Sequence, residues 1–129
     1  MGNIMEKPLV LIIEDDQTQN QIFKIALKDD FVVETFLDGD SAAARLDEVI
    51  PALVILDLNL PGRSGPELLA RIRADNRIAS IRVILATADE QKADRLHDDA
   101  DLVLLKPVSP GQLKALAQRL LQRSAARKA

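Results

Sequence analysis

Five short, mostly apolar runs recur along the chain, at Leu9–Ile13, Phe31–Phe36, Ala52–Leu56, Ile81–Leu85 and Leu102–Leu105. They are rich in Val, Ile and Leu and largely lack the polar alternation of a half-solvated strand. Such runs suit strands buried on both faces of a parallel sheet. Longer stretches of helical period lie between them. Strict alternation of strands with helices predicts right-handed βαβ units and a parallel sheet. Five strands and five helices then fit a three-layer, doubly wound α/β fold of the flavodoxin-like strand order 2-1-3-4-5. With 129 residues, the expectation is one domain with its fold core over about residues 8–124.

The last helix is the clearest. Leu113, Leu116, Ala117, Leu120 and Leu121 form one stripe, Ser109-Pro110 reads as its start, and Arg119, Arg123, Arg127 and Lys128 are cations suited to its carboxyl end. For the first helix, Thr18 with Gln21 reads as a capping box before Ile22, Phe23 and Ala26, with Asp16 as a further capping candidate. Asp40 or Ser41 is expected to cap a second helix carrying Ala43, Leu46 and Val49 that stops near Pro51. Pro66 opens a third, with Leu68, Leu69 and Ile72 on its apolar side. The fourth, between Asp89 and Ala100, has only Ala93, Leu96 and Ala100 to bury, and Gly39 and Gly62 mark turns.

Composition removes several functions. The absence of cysteine excludes disulfide frameworks, thiolate zinc sites and cysteine nucleophiles. A formal net charge of -3 makes no general case for direct nucleic-acid binding. Three Phe, with no Tyr or Trp, supply little for base stacking. No apolar run approaches the roughly 20 residues of a membrane span, and Met1–Lys7 does not read as a signal peptide. The expected setting is the cytoplasm, without membrane insertion.

In a sheet of this order, ligands bind beyond the carboxyl ends of the strands, where the order reverses. The first run ends in Glu14-Asp15-Asp16, the third in Asp57, the fourth at Thr87 and the fifth at Lys106. The topology therefore predicts carboxylates, a hydroxyl and an ammonium at one rim. Clustered carboxylates must be protonated, neutralised or metal-bound. Mg²⁺ prefers oxygen ligands and commonly combines one or two carboxylates with a phosphate. Lys106 and Thr87 can serve further phosphate oxygens. Charge stabilisation of this kind is most of what phosphoryl transfer requires, and a carboxylate can itself accept the group as an acyl phosphate.

From LVLIIEDD through DLNLPGRSG and ILATA to LLKP, the chain resembles the receiver domain of two-component response regulators. Glu14 and Asp15 take the places of that family's acidic pair. Asp57, Pro61 and Gly65 match its acceptor motif, Thr87-Ala88 its switch hydroxyl, and Lys106-Pro107 its lysine and proline, usually joined by a cis peptide. The resemblance implies a phosphoacceptor switch rather than a metabolic enzyme. Asp57 would take a phosphoryl group from a phosphohistidine on a sensor histidine kinase or histidine phosphotransfer protein. Mg²⁺ (or Mn²⁺) would be held by Asp15, Asp57 and the backbone carbonyl of Asn59, with Glu14 assisting through water. Asn59 and Asp89 would flank the site and tune hydrolysis.

Three departures stand out. Val103 replaces the usual Tyr or Phe three residues before the lysine, the segment from Thr87 to Lys106 is short, and no output domain is expected. The expectation is a stand-alone receiver acting on a downstream protein, with homodimerisation left open. Competing readings are a phosphorylation-independent scaffold and an aspartate-nucleophile phosphatase of the haloacid dehalogenase type. The latter wants a second aspartate where Asn59 stands and its nucleophile after the first strand. No GxxxxGK phosphate loop is present. His97, within DRLHDD, reads as a surface residue.

Overall fold

The computed structural model describes the backbone of residues 6–128 and side chains as far as Gln122. The side chains of Arg123, Arg127 and Lys128, and most of the Met1–Lys7 segment, lie outside the described residues. Strands β1 (Leu9–Ile13), β2 (Val32–Phe36), β3 (Leu53–Leu56), β4 (Arg82–Thr87) and β5 (Leu102–Leu105) form one parallel sheet in the order β2-β1-β3-β4-β5. Helices α1 (Gln17–Leu27), α2 (Gly39–Leu46), α3 (Gly65–Ala74), α4 (Glu90–Leu96) and α5 (Pro110–Lys128) join and follow them. The expected three-layer, doubly wound architecture is the observed one. β1 and β5 match their apolar runs, β2 and β3 begin one residue later, and β4 begins one later and ends two later, since hydrogen-bond register rather than hydrophobicity ends a strand.

Successive strand residues point to opposite faces, and the two cores follow that alternation. Leu11, Ile13, Val54, Leu56, Val83 and Leu85 meet Ala42, Leu46, Leu68, Leu69, Ile72 and Ala93 from α2, α3 and α4. Val10, Ile12, Leu53, Ile55, Ile84 and Ala86 meet Phe23 and Leu27 of α1 and Leu113, Ala117 and Leu120 of α5. Each Leu, Ile or Phe fully buried this way contributes about 1.5–3 kcal/mol. Both faces of the central strands are covered, which is why their sequences alternate so little.

Local readings of the helix ends need correction. At α1 the Thr18–Gln21 box does not form, while Asp16 caps the helix as expected, accepting from the Gln19 amide at 2.9 Å. Its backbone is extended while Gln17 already begins the helix. Asp38, rather than Asp40 or Ser41, caps α2, accepting from the Ser41 amide at 2.7 Å. That helix ends at Leu46, short of Val49. The Arg77 guanidinium, 31 residues away in sequence, reaches back to the Leu46 carbonyl and also donates to the Val49 carbonyl at 3.0 Å. A tertiary donor thus replaces the helical continuation. Ser64 caps α3, placing Pro66 just inside it. The fourth helix is as short as expected, seven residues followed by a single 3₁₀ turn at His97–Asp99.

The parallel ladder continues beyond the strand ends. Glu14 N donates to Phe36 O at 3.0 Å, Asp57 N to Ile13 O at 3.0 Å, and Lys106 N to Thr87 O at 2.9 Å. These bonds carry the sheet's register into the loops and bring their side chains to one rim. Gly65 keeps the β3–α3 loop close. A Cβ there would lie 2.4 Å from both the Asp57 carbonyl oxygen and the Leu58 Cα, backbone atoms with no rotamer to yield. We predict that Gly65→Ala destabilises the fold by about 1–3 kcal/mol, the cost of overpacking, measurable by urea denaturation.

On edge strand β2, Glu34 receives two hydrogen bonds from Arg45 of α2, at 2.8 and 3.0 Å. Those bonds hold the Glu34 carboxyl below its ordinary pKa. A carboxyl lowered in the folded state stabilises above its unfolded pKa, and that contribution is lost as pH falls through the folded value. The pair is partly exposed, so Glu34→Gln should cost less than about 1 kcal/mol at pH 7. The difference from wild type should vanish in denaturation curves below the carboxylate range.

Candidate functional site

Each element delivers its chemistry at its carboxyl end. Glu14 and Asp15 follow β1, Asp57 follows β3, Thr87 ends β4 and Lys106 follows β5. Glu14 is 2% exposed, Asp57 7% and Thr87 0%, whereas Asp15 is exposed. One carboxylate oxygen from each of Glu14, Asp15 and Asp57 lies within 4.8 Å of the others. The Lys106 ammonium donates to Asp57 Oδ2 at 2.9 Å and is also in close contact with Glu14 Oε1. Topology thus unites the two acids on either side of the β1–β3 junction with the lysine from the far edge.

The electrostatics follow from burial and pairing. Burial is the main cause that raises the Glu14 carboxyl above its ordinary pKa, and the Asp57 charge adds to it. Hydrogen bonds from Lys106 and the Asp16 amide oppose the rise. Burial by itself would lower the Lys106 pKa, but its bonds to Glu14 and Asp57 outweigh that and hold it above the ordinary lysine value. With all groups ionised, three carboxylates face one ammonium, leaving a formal excess of two negative charges. An all-oxygen donor set with that excess fits a hard divalent cation.

Other residues expected at the site line its margins. Thr87 Oγ1 accepts from the Asp89 amide at 3.1 Å, and Asp89 in turn caps α4 through the Lys92 amide. Asn59 is exposed beside Asp57, and its Oδ1 accepts from Lys92 Nζ at 3.0 Å. Val103 is partly buried against the core beneath α2, α3 and α4. The Lys106–Pro107 bond is cis. His97 is exposed, and its protonated form is favoured by the Asp94 carbonyl and then by the Asp98 charge.

A model of the response regulator receiver domain matches residues 10–118. The chain belongs to that family. It is 35% identical over 121 residues to the phosphate regulon transcriptional regulatory protein PhoB of Rhizobium meliloti, covering 91% of this chain and 53% of the relative. It is 32% identical over 128 residues to response regulator Rre1 of Synechocystis sp., covering 95% and 55%. The receiver domain therefore spans about half the length of these two relatives. The chemotaxis response regulator CheY4 of Vibrio cholerae superposes with a TM-score of 0.80 at 26% identity, covering 88% of this chain and 98% of that one.

Two contacts and one buried residue escaped the sequence reading. The direct Glu14–Lys106 contact joins residues 92 apart, and the Lys92–Asn59 bridge joins residues 33 apart. The residue is Asn20, fully buried on the core side of α1. Its signal was a polar residue three before Phe23 and seven before Leu27, where an apolar one belongs. Because Glu14 is buried and crowded by Asp57, neutralising it should relieve the folded receiver domain. We predict that Glu14→Gln raises the thermal midpoint in metal-free buffer at neutral pH, read by circular dichroism.

Proposed function

We propose that this receiver domain is a phosphoacceptor switch whose acceptor is Asp57. The observation that carries the proposal is the convergence of the Glu14, Asp15 and Asp57 carboxylates with the Lys106 ammonium at the strand ends, in a chain of the receiver family. A phosphohistidine on a sensor histidine kinase or phosphotransfer protein is the proposed donor. An Asp57 carboxylate oxygen forms the new bond to phosphorus, the P–N bond breaks, and the imidazole leaves with its electron pair. Asp15, Asp57 and the backbone carbonyl of Asn59 would hold Mg²⁺ or Mn²⁺, with Glu14 assisting through water. Bound there, the ion would supply positive charge against the phosphoryl oxygens.

The chain's own residues do the rest. Lys106 orients Asp57 and is already poised to balance added negative charge. Thr87 offers its hydroxyl to a phosphoryl oxygen, and in turning it would give up the Asp89 amide. Since Asp89 caps α4, this couples the chemistry at the rim to the start of that helix. Val103 cannot provide the hydroxyl–aromatic coupling of the family pattern, so the Thr87–Asp89–α4 route carries the signal. Changing such a switch from 1:99 to 99:1 needs about 5.5 kcal/mol of differential stabilisation. The proposed output is a changed protein-binding surface. No direct contact with nucleic acid is invoked. Among the described residues, no helix is long and apolar enough to cross a membrane.

Phosphate-affinity electrophoresis with acetyl phosphate and Mg²⁺ tests this reading. A retarded band is expected for wild type and none for Asp57→Asn. Absence of retardation in both would favour a phosphorylation-independent scaffold. Sustained turnover of small phosphate esters would favour the phosphatase.

A further inference from the structure

α1 turns Asn20, Phe23 and Leu27 into the core. Asn20 is 0% exposed, and a buried amide persists only where its hydrogen bonds justify its desolvation. Its Nδ2 donates to the Glu14 carbonyl at 3.0 Å and to the Phe36 carbonyl at 3.1 Å. The Phe36 carbonyl also accepts from Glu14 N, at 3.0 Å. Both backbone polar groups of Glu14 therefore end in one knot, tied to the last residue of β2 and to α1. Oδ1 is buried without a partner. Turning the amide end for end would set that oxygen against two carbonyl oxygens, so the orientation is chosen for its donors. An apolar side chain of similar size would fill the space without an orphaned acceptor. This position serves donation rather than volume.

We infer that Asn20 is a positioning residue for the acidic rim, setting the peptide from which Asp15 departs and so the affinity of the rim for a divalent cation. The inference rests on the Mg²⁺ reading proposed above. The carbonyl that Asn20 holds belongs to the peptide joining Glu14 to Asp15. That peptide is planar, so fixing its oxygen fixes the plane leading to the Asp15 Cα. Asp15 is the exposed member of the acidic cluster, whereas Glu14 and Asp57 are buried. Its placement therefore depends more on the backbone beneath it than on surrounding walls. Groups that orient ligands from behind commonly change metal affinity by roughly 10- to 100-fold.

Asn20→Leu keeps the branched shape of the side chain and removes both donors. NMR titration with Mg²⁺ alone should show weaker binding by roughly 10- to 100-fold, with the amide spectrum of a folded protein. Phosphorylation by acetyl phosphate should recover as Mg²⁺ is raised. Leu120→Ala, which disturbs the core beneath α5, should retain wild-type Mg²⁺ affinity, separating positioning from general destabilisation. Equal affinity in wild type and Asn20→Leu would overturn the positioning role alone. A wild-type protein that ignores Mg²⁺ would overturn the cation site and the positioning role with it. If Asn20→Leu does not fold, the wild-type side-chain amide decides. Slow exchange of its Nδ2 protons and a shift on Mg²⁺ addition would support the role, whereas exchange as fast as that of exposed Asn59 would overturn it.

Discussion

Glu14 and Asp57, two carboxylates almost withdrawn from solvent, share the ammonium of Lys106. Neither acid would be stable there as an isolated charge, because removing one partner of a buried pair leaves an uncompensated ion. The lysine reaches Asp57 from beyond β5 past β4, and Glu14 past both β4 and β3. The sheet must therefore be closely registered for the contact to form. Lys106 N, bonded to the Thr87 carbonyl, shows how that register is passed on. The same ladder that organises the core also aligns the charged rim.

One charge balance remains incomplete. A single ammonium opposes three carboxylates, and the excess sits where β1 and β3 adjoin, at the reversal of strand order. Hydrophobic packing makes this arrangement tolerable. Both faces of the central strands are covered by helices, so the sheet itself is not the weak point. The cost is concentrated at a rim open to solvent through Asp15, where the proposed ion and phosphoryl group would approach. Stability and function are thus separated along the strands, with burial along their length and charge at their carboxyl ends.

Around that rim, neighbouring elements are linked by few contacts. Lys92 bridges α4 to Asn59, and Thr87 accepts from the amide of the residue that caps α4. α4 is short and buries only Ala93. A helix with so little apolar anchorage is inexpensive to shift, and one end of it is fastened to the site. Val103, partly buried below, lacks a ring or hydroxyl to join that linkage.

The apolar runs determined the strand count, because a strand covered on both faces leaves little choice of residue, and their alternation with helices gave the parallel sheet; the order followed from the common doubly wound arrangements, of which five strands fit one. The runs also placed Glu14, Asp15, Asp57, Thr87 and Lys106 at strand ends, since a run that stops announces where the next polar residue lies. Helix ends were less legible. Asp38 rather than Asp40 caps α2, and Arg77 ends that helix from 31 residues away, because equivalent local candidates are separated only by backbone geometry and distant donors. Tertiary structure alone decided that Lys106 binds Glu14 directly and that Asn20 ties β1 to β2. Side-chain reach across a sheet depends on register and twist, which no local pattern encodes.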